Sequence, residues 1–120
     1  MILVYLKGDD AELIGTATAR VENGRIGYIA TIGVNSKYRK RGIGQNLLKI
    51  LEEDLVLVHK VEKIYLHVHI ENDGALYFYK KRGYRITKRI PNLYKFVNRD
   101  ERQDAFELEK KTVTRNCELL

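Results

Sequence analysis

The spacing of apolar residues changes character several times along the chain, and each change marks an element. Ile2 to Leu6 and Leu13 to Val21 are short runs rich in Val, Ile and Thr on either side of Gly8-Asp9-Asp10, which predicts two strands and a tight turn. In the second run Gly15, Ala17 and Ala19 alternate with Ile14, Thr16 and Thr18. Glu22-Asn23-Gly24-Arg25 carries the Asn-Gly pair favoured in two-residue hairpin turns, so a third strand from Ile26 to Val34 completes an antiparallel meander. Leu47, Leu48, Leu51, Leu55 and Val58 then recur at helical spacing, with Lys49, Glu52, Glu53 and Asp54 opposite them. This predicts an amphipathic helix from Gly44 to His59.

From Lys63 the period falls to two. Ile64, Leu66, Val68 and Ile70 share one face and Tyr65, His67 and His69 the other, so the aliphatic side is expected to meet a helix. Strand, helix and strand in this order imply a right-handed parallel crossover. A second helix is expected from Gly74 to Arg82, with Asn72-Asp73 as caps and Gly83 as its left-handed terminus. Strands from Tyr84 to Ile90 and Tyr94 to Val97 follow. An alternating run, Ala105 to Glu109, returns as a hairpin partner across the polar loop Asn98 to Asp104. The pattern is that of an α/β (α+β) protein with a mixed sheet, one domain over residues 1–111 and a polar tail over 112–120.

Composition narrows the partners. With 120 residues, 44% hydrophobic, 32% charged and one proline, the chain has the make-up of a globular domain. The net charge is +6, and four of the positive charges fall within Lys37 to Arg41, which favours a compact polyanion at one site over a long nucleic acid. The single Cys117 excludes an internal disulfide framework and lacks the companions of a zinc site, so no metal is expected and a reducing cytoplasm fits. The apolar run Ile2 to Leu6 is too short for a signal peptide or a membrane span.

The chemistry concentrates in Tyr38-Arg39-Lys40-Arg41-Gly42-Ile43-Gly44-Gln45, between a strand and a helix. Glycines let backbone approach a phosphate, helix-start N–H groups lack intrahelical partners, and the helix dipole adds positive potential there. The same residues also suit a solvated basic turn. Two other phosphate loops are excluded: no Gly-Lys-Ser/Thr run exists for a Walker loop, and Leu47 stands where a dinucleotide fingerprint needs Gly or Ala.

These elements in this order resemble the GCN-related N-acetyltransferase (GNAT) superfamily. Arg39, Gly42 and Gly44 match its acetyl-CoA signature, and Asn72, Ala75, Tyr79, Gly83 and Tyr84 match its second motif. A narrower resemblance spans residues 1–110. Tyr28-Ile29-Ala30-Thr31-Ile32-Gly33, the loop Tyr38 to Gly44, and Ile64-Tyr65-Leu66-His67-Val68 are similar to catalytic subunits of protein amino-terminal acetyltransferases, above all the NatE type.

The resemblance implies a GNAT fold built on a strand-helix-strand acetyl-CoA unit, and direct transfer of acetyl from acetyl-CoA to an α-amine. It implies catalytic roles for Tyr28 and His67, and for Tyr79 as a donor to the coenzyme sulfur. The coenzyme would be held by Ile32, Gly33 and Val34, by Arg39, Lys40, Arg41, Gly42, Ile43, Gly44 and Gln45, and by Asn72, Ala75 and Tyr79. Tyr28, Ala30 and Tyr94 would bind the acceptor, a protein or peptide N-terminus. His69 has no family role and is read as structural, and Arg99 to Glu109 as a solvated loop and strand face.

Three departures qualify the match. The strand and two helices with which the family usually begins have no counterpart here, so the expected groove wall would come from a further segment or an auxiliary subunit, or be absent. Lys37 replaces a common proline, and Leu93 stands where the NatE type has an aromatic residue. A lysine or small amine remains an alternative acceptor. An inactive basic module for ribosomal RNA or a partner subunit, and a homodimer, remain alternatives of other kinds.

Overall fold

A computed structural model describes residues 1–93 and 104–112. The expected strand Tyr94 to Val97, Tyr94 itself, Cys117 and the tail beyond Thr112 lie outside the described residues. Six strands and two α-helices are formed among the described residues, in a mixed α/β arrangement. Two compact units are distinguished, Met1–Ile64 joined by Thr112, and one within Tyr65–Lys111.

The first unit is the meander and its helix. Strand β1 (Ile2–Lys7) pairs antiparallel with β2 (Leu13–Glu22), which pairs antiparallel with β3 (Ile26–Val34). Asn23 and Gly24 both take positive φ, 54° and 70°, and Arg25 N–H donates to Glu22 O at 3.1 Å, the tight turn the Asn-Gly pair predicts. The small residues of β2 face the first helix, α1 (Ile43–Glu53). A Cβ on Gly15 would stand 2.8 Å from Leu47 Cδ1 and 2.9 Å from Gly33 O, so only glycine admits the helix this close. Leu47, Leu48, Leu51 and Leu55 are buried with Ala17, Ala19, Ile29, Val61 and Ile64, each leucine contributing about 1.5–3 kcal/mol.

The helix ends differently from its sequence pattern. Asp54–Val58 forms a π-helical turn, which is wider than an α-turn and rotates the apolar stripe. Val58, expected in the stripe, is 65% exposed, and Val61 takes the buried position, its N–H donating to Leu55 O at 3.1 Å. Thr112 is fixed to this segment, its N–H donating to Glu62 O and its hydroxyl to Val61 O.

Strand β4 (Lys63–His69) crosses the boundary between the units. Ile64, Leu66 and Val68 are buried while Tyr65, His67 and His69 keep part of their surface exposed, as the two-residue period requires. In the second unit the strand order is β4, β6 (Ala105–Lys111), β5 (Arg85–Ile90), with helix α2 (Asp73–Lys81) between β4 and β5 in sequence. Asn72 caps α2, its side chain accepting from Ala75 N–H at 3.1 Å, and Gly83 beyond the helix has φ 97°. On one edge β6 pairs with β5, in antiparallel register from Arg85↔Glu109 to Ile90↔Ala105, and on the other it neighbours β4. Asp104, expected in a polar loop, is fully buried: it takes Arg89 at 2.9 and 2.7 Å and Asn92 N–H at 2.9 Å. No helix among the described residues is long and apolar enough to cross a membrane.

Candidate active site

In the first unit the basic glycine loop is built from the end of β3 outward. Asn35 fixes its base: its N–H donates to Ile14 O at 2.7 Å, its side-chain amide donates to Leu13 O at 3.0 Å, and its side-chain oxygen accepts from Lys37 N–H. A single 3-10 turn, Ser36–Tyr38, follows. The chain then passes through Lys40 at φ 65° and Gly42 at φ 76° before α1 begins at Ile43. Both are left-handed, a conformation that costs an L-residue about 1–2 kcal/mol and glycine almost nothing. A Cβ placed on Gly42 would meet nothing within 4 Å, and no side chain caps the helix. The first helical bond is Asn46 N–H to Gly42 O at 3.0 Å, so the opening turn presents main-chain donors to an open space of the sort a diphosphate requires.

The four cations of the loop are not equivalent. Lys37 Nζ is 3.0 Å from Glu12 of the β1–β2 turn, and the Tyr38 hydroxyl donates to the other oxygen of the same carboxylate at 3.1 Å. These bonds hold the Glu12 carboxyl below its usual range, the Lys37 bond first and the Tyr38 bond second, and raise the pKa of both partners. Lys37 is therefore committed to the scaffold. Arg39 Nε reaches back to Val34 O at 3.3 Å, and the Arg41 guanidinium lies 5.3 Å from the Tyr38 ring. Arg39, Lys40 and Arg41 are all exposed, as are Gly42 and Gln45, while Ile43 and Gly44 are half-buried.

Strand β3 carries the other expected residues of this unit. Its register skips one residue: Ala19 faces Ile29 and Thr18 faces Thr31, which leaves Ala30 as a bulge. Ala30 and Thr31 are consequently both exposed, and Thr31 shares a 2.7 Å hydroxyl contact with Thr18. Tyr28 lies two residues before the bulge, half-buried, with the Arg20 guanidinium 4.4 Å from its ring centre and Arg20 itself bonded to Glu22 at 2.8 Å. Ile32 and Val34 lie opposite Ala17 and Gly15, and Gly33 opposite Thr16. Gly33 and Val34 line a cleft of about 310 Å³ shared with Leu13 to Thr16 of β2.

The second unit holds His67 and Tyr79. His67 Nε2 is 3.1 Å from Glu107 Oε1, with both side chains about five-sixths buried. The Tyr65 ring meets the imidazole edge-on at 5.7 Å. Beside it, His69 Nδ1 accepts from Glu71 N–H, a local structural bond. Asn72, Ala75 and Tyr79 follow at helical spacing, so Asn72 fixes the turn on which Ala75 sits and Tyr79 lies one turn further along the same face. Tyr79 packs edge-on against Phe78 and Tyr84, at 5.1 and 5.6 Å, and burial pushes its phenol up to about 12. It therefore stays protonated in neutral solution and can serve as a hydrogen-bond donor, not as a base. Glu12, Arg20 and Glu107 are the residues that sequence spacing did not single out. Among the described residues no group of three His, Cys, Asp or Glu side chains gathers as a metal site.

Comparison with known proteins bears on the family and the fold. Residues 2–84 match the acetyltransferase (GNAT) family. The chain is 37% identical over 105 residues to a fruit-fly protein, Probable N-acetyltransferase san of Drosophila melanogaster, covering 82% of this chain and 53% of the relative. It is 38% identical over 104 residues to N-alpha-acetyltransferase 50 of the zebrafish Danio rerio, covering 81% and 58%. The chain thus spans little more than half the length of these relatives. Among solved structures, Arabidopsis thaliana Naa50 in complex with the bisubstrate analogue CoA-Ac-MVNAL superposes with a TM-score of 0.70 at 35% identity, covering 85% of this chain and 68% of that one.

Proposed function

The chain belongs to the acetyltransferase (GNAT) family, and from that footing we propose that it transfers the acetyl group of acetyl-CoA directly to an amine, the α-amino group of a protein or peptide N-terminus. The observation that carries the proposal is the uncapped start of α1, where Gly42 leaves main-chain donors facing open space beside Arg39, Lys40 and Arg41. Relatives named as N-alpha-acetyltransferases, and the analogue bound to Arabidopsis Naa50, support the choice of acceptor.

Bound acetyl-CoA would supply a thioester whose carbonyl carbon accepts an amine and whose sulfur leaves. The N–H groups of the opening turn of α1, with open space around Gly42, would take the diphosphate, and the three exposed cations would neutralise it. Main-chain N–H groups of Ile32 to Val34 would polarise the carbonyl oxygen. Tyr79, a phenol through the neutral range, would donate to the sulfur. Asn72 would set the turn that brings Ala75 to the coenzyme.

His67 would take the proton from the amine and Tyr28 would orient that amine or an intervening water, with Ala30 and Tyr94 bordering the acceptor. A weak base suffices for this choice of substrate. An α-amine has a pKa of about 7.7–8.0 and a lysine about 10.4, so near neutrality freeing the lysine nitrogen costs about 3 kcal/mol more. Initial rates on a Met-starting peptide, set against the same peptide blocked at its amino terminus but carrying lysine, test the proposal. The free terminus should be the faster substrate; faster turnover of the blocked peptide would overturn the assignment.

A further inference from the structure

We infer that Lys88 and Arg85 of β5 determine specificity for the acceptor, favouring an amino terminus with an acidic side chain at its third or fourth residue. The inference rests on the acetyl-transfer reading, which puts the acceptor amine at His67, and adds to it the class of peptide that is taken. All the residues it uses lie within the second unit. Strands β4, β6 and β5 are neighbours in that order, and His67, Glu107 and Lys88 form a row across them. His67 Nε2 is 3.1 Å from Glu107 Oε1, and Lys88 Nζ is 3.7 Å from Glu107 Oε2.

A bulge puts the second cation on the same face. In a regular strand residues 85 and 88 would point to opposite sides of the sheet, because side chains alternate. Here Ile86 faces Leu108 and Lys88 faces Glu107, so the register passes over Thr87, whose hydroxyl donates to Glu107 O at 3.2 Å. Arg85 faces Glu109, two residues from Glu107, and therefore shares the side of the sheet that carries His67. Both cations are accessible: every residue from Arg85 to Arg89 is exposed, and the Lys88 side chain is 62% exposed, its Nζ beyond hydrogen-bond reach of the Glu107 oxygen.

Distance sets the position in the peptide. Adjacent strands run about 4.8 Å apart, so β5 lies about 10 Å from β4 across β6. An extended acceptor advances about 3.3–3.6 Å per residue, so with its amine at His67 and its chain crossing β6, its third and fourth residues come over β5. A carboxylate there meets two cations, Lys88 as a point charge and Arg85 as a planar fork. A basic side chain at the same place is repelled.

The test compares three Met-starting peptides that differ only in an acidic pair: Glu at the third and fourth residues, Gln at both, or Gln at both with the two Glu moved to the tenth and eleventh. Initial rates with acetyl-CoA at low salt should favour the first over either of the others by about three- to tenfold in kcat/KM, carried by KM, and the advantage should shrink in concentrated salt. The double variant Lys88→Glu, Arg85→Glu should invert the preference, and a ratio taken within one protein cancels any loss of folded enzyme. Equal rates on the first and third peptides overturn the inference, and this comparison needs no variant to fold. A preference unaltered in the double variant overturns it equally. A wild type that acetylates none of the three overturns the acetyl-transfer reading instead. Fluorescence anisotropy of the same peptides, labelled at the carboxyl end, then still decides the inference, and equal affinities for the first and third overturn it.

Discussion

The Glu12 carboxylate accepts the Tyr38 hydroxyl at 3.1 Å, joining the β1–β2 turn to the glycine loop across 26 positions of sequence. With Lys37 on its other oxygen, Glu12 works as a strap that sets the entry to α1 before any anion arrives. Glu12→Gln should therefore weaken acetyl-CoA binding several-fold although residue 12 is not one of the groups assigned to the coenzyme. The pH dependence has a defined sign. The carboxyl is depressed by Lys37 and then Tyr38, so its contribution is present above the ordinary value of 4.5 and lost as pH falls through the lowered one. Lys37 and Tyr38 are raised by Glu12, so theirs is present below 10.5 and 10.0 and lost as pH rises through the raised values. Isothermal titration across pH should find this strap intact from weakly acidic to weakly alkaline solution; equal affinity in Glu12→Gln would dismiss its role.

Gly42→Ala and Gly42→Val separate backbone strain from obstruction. Either variant places a side chain on a left-handed residue and should lower stability by about 1–2 kcal/mol, seen as a shift of the urea midpoint. Neither side chain's Cβ meets protein, because the space around it is open. Acetyl-CoA affinity should nonetheless fall, more for Val than for Ala, since that space is what the diphosphate needs. Affinity that tracks only the stability loss would remove the cradle from the account.

The start of α1 and the caps of α2 were legible because their signals are local. Asn23-Gly24, Asn72 and Gly83 each act within a few residues, and the leucines of α1 repeat at the helical period. The candidate site was half legible for the opposite reason. A run of cations announces an anion site, but that Lys37 is consumed by Glu12 depends on a contact 25 positions away, which spacing does not record. Glu107 and Asp104 looked like parts of a solvated charge run until β5 and β6 paired. Val58 was misplaced because a π-turn leaves no mark in an apolar repeat, and the bulge at Ala30 likewise exists only in the pairing of β2 with β3.

Asp104→Ala tests the buried carboxylate of the second unit. It removes charge-assisted bonds to Arg89 and the bond to Asn92 N–H, and leaves that N–H without its partner. Arg89 is half exposed and can turn to water, so a loss of about 1–3 kcal/mol is expected in place of the larger penalty of a stranded buried cation. Denaturant unfolding would measure it.

Tyr79 gives an alkaline signature. Burial raises its phenol to about 12, so the stability it contributes is whole below the ordinary value of 10.0 and drains away as pH climbs through 12. Tyr79→Phe should flatten that part of the stability profile and remove one late-titrating phenol from the absorbance curve. It should also lower kcat while sparing acetyl-CoA affinity, which sets it apart from the Gly42 variants. A wild-type curve in which Tyr79 titrates with the exposed tyrosines would refute its burial.

The acceptor itself is the most direct test. A peptide beginning with Met, with a free amino terminus and one internal lysine, would be incubated with the protein and acetyl-CoA and then fragmented in a mass spectrometer. The account predicts a single acetyl group on the terminal nitrogen of Met. Acetyl on the lysine with the terminus left free, or no acetyl at all, would contradict it.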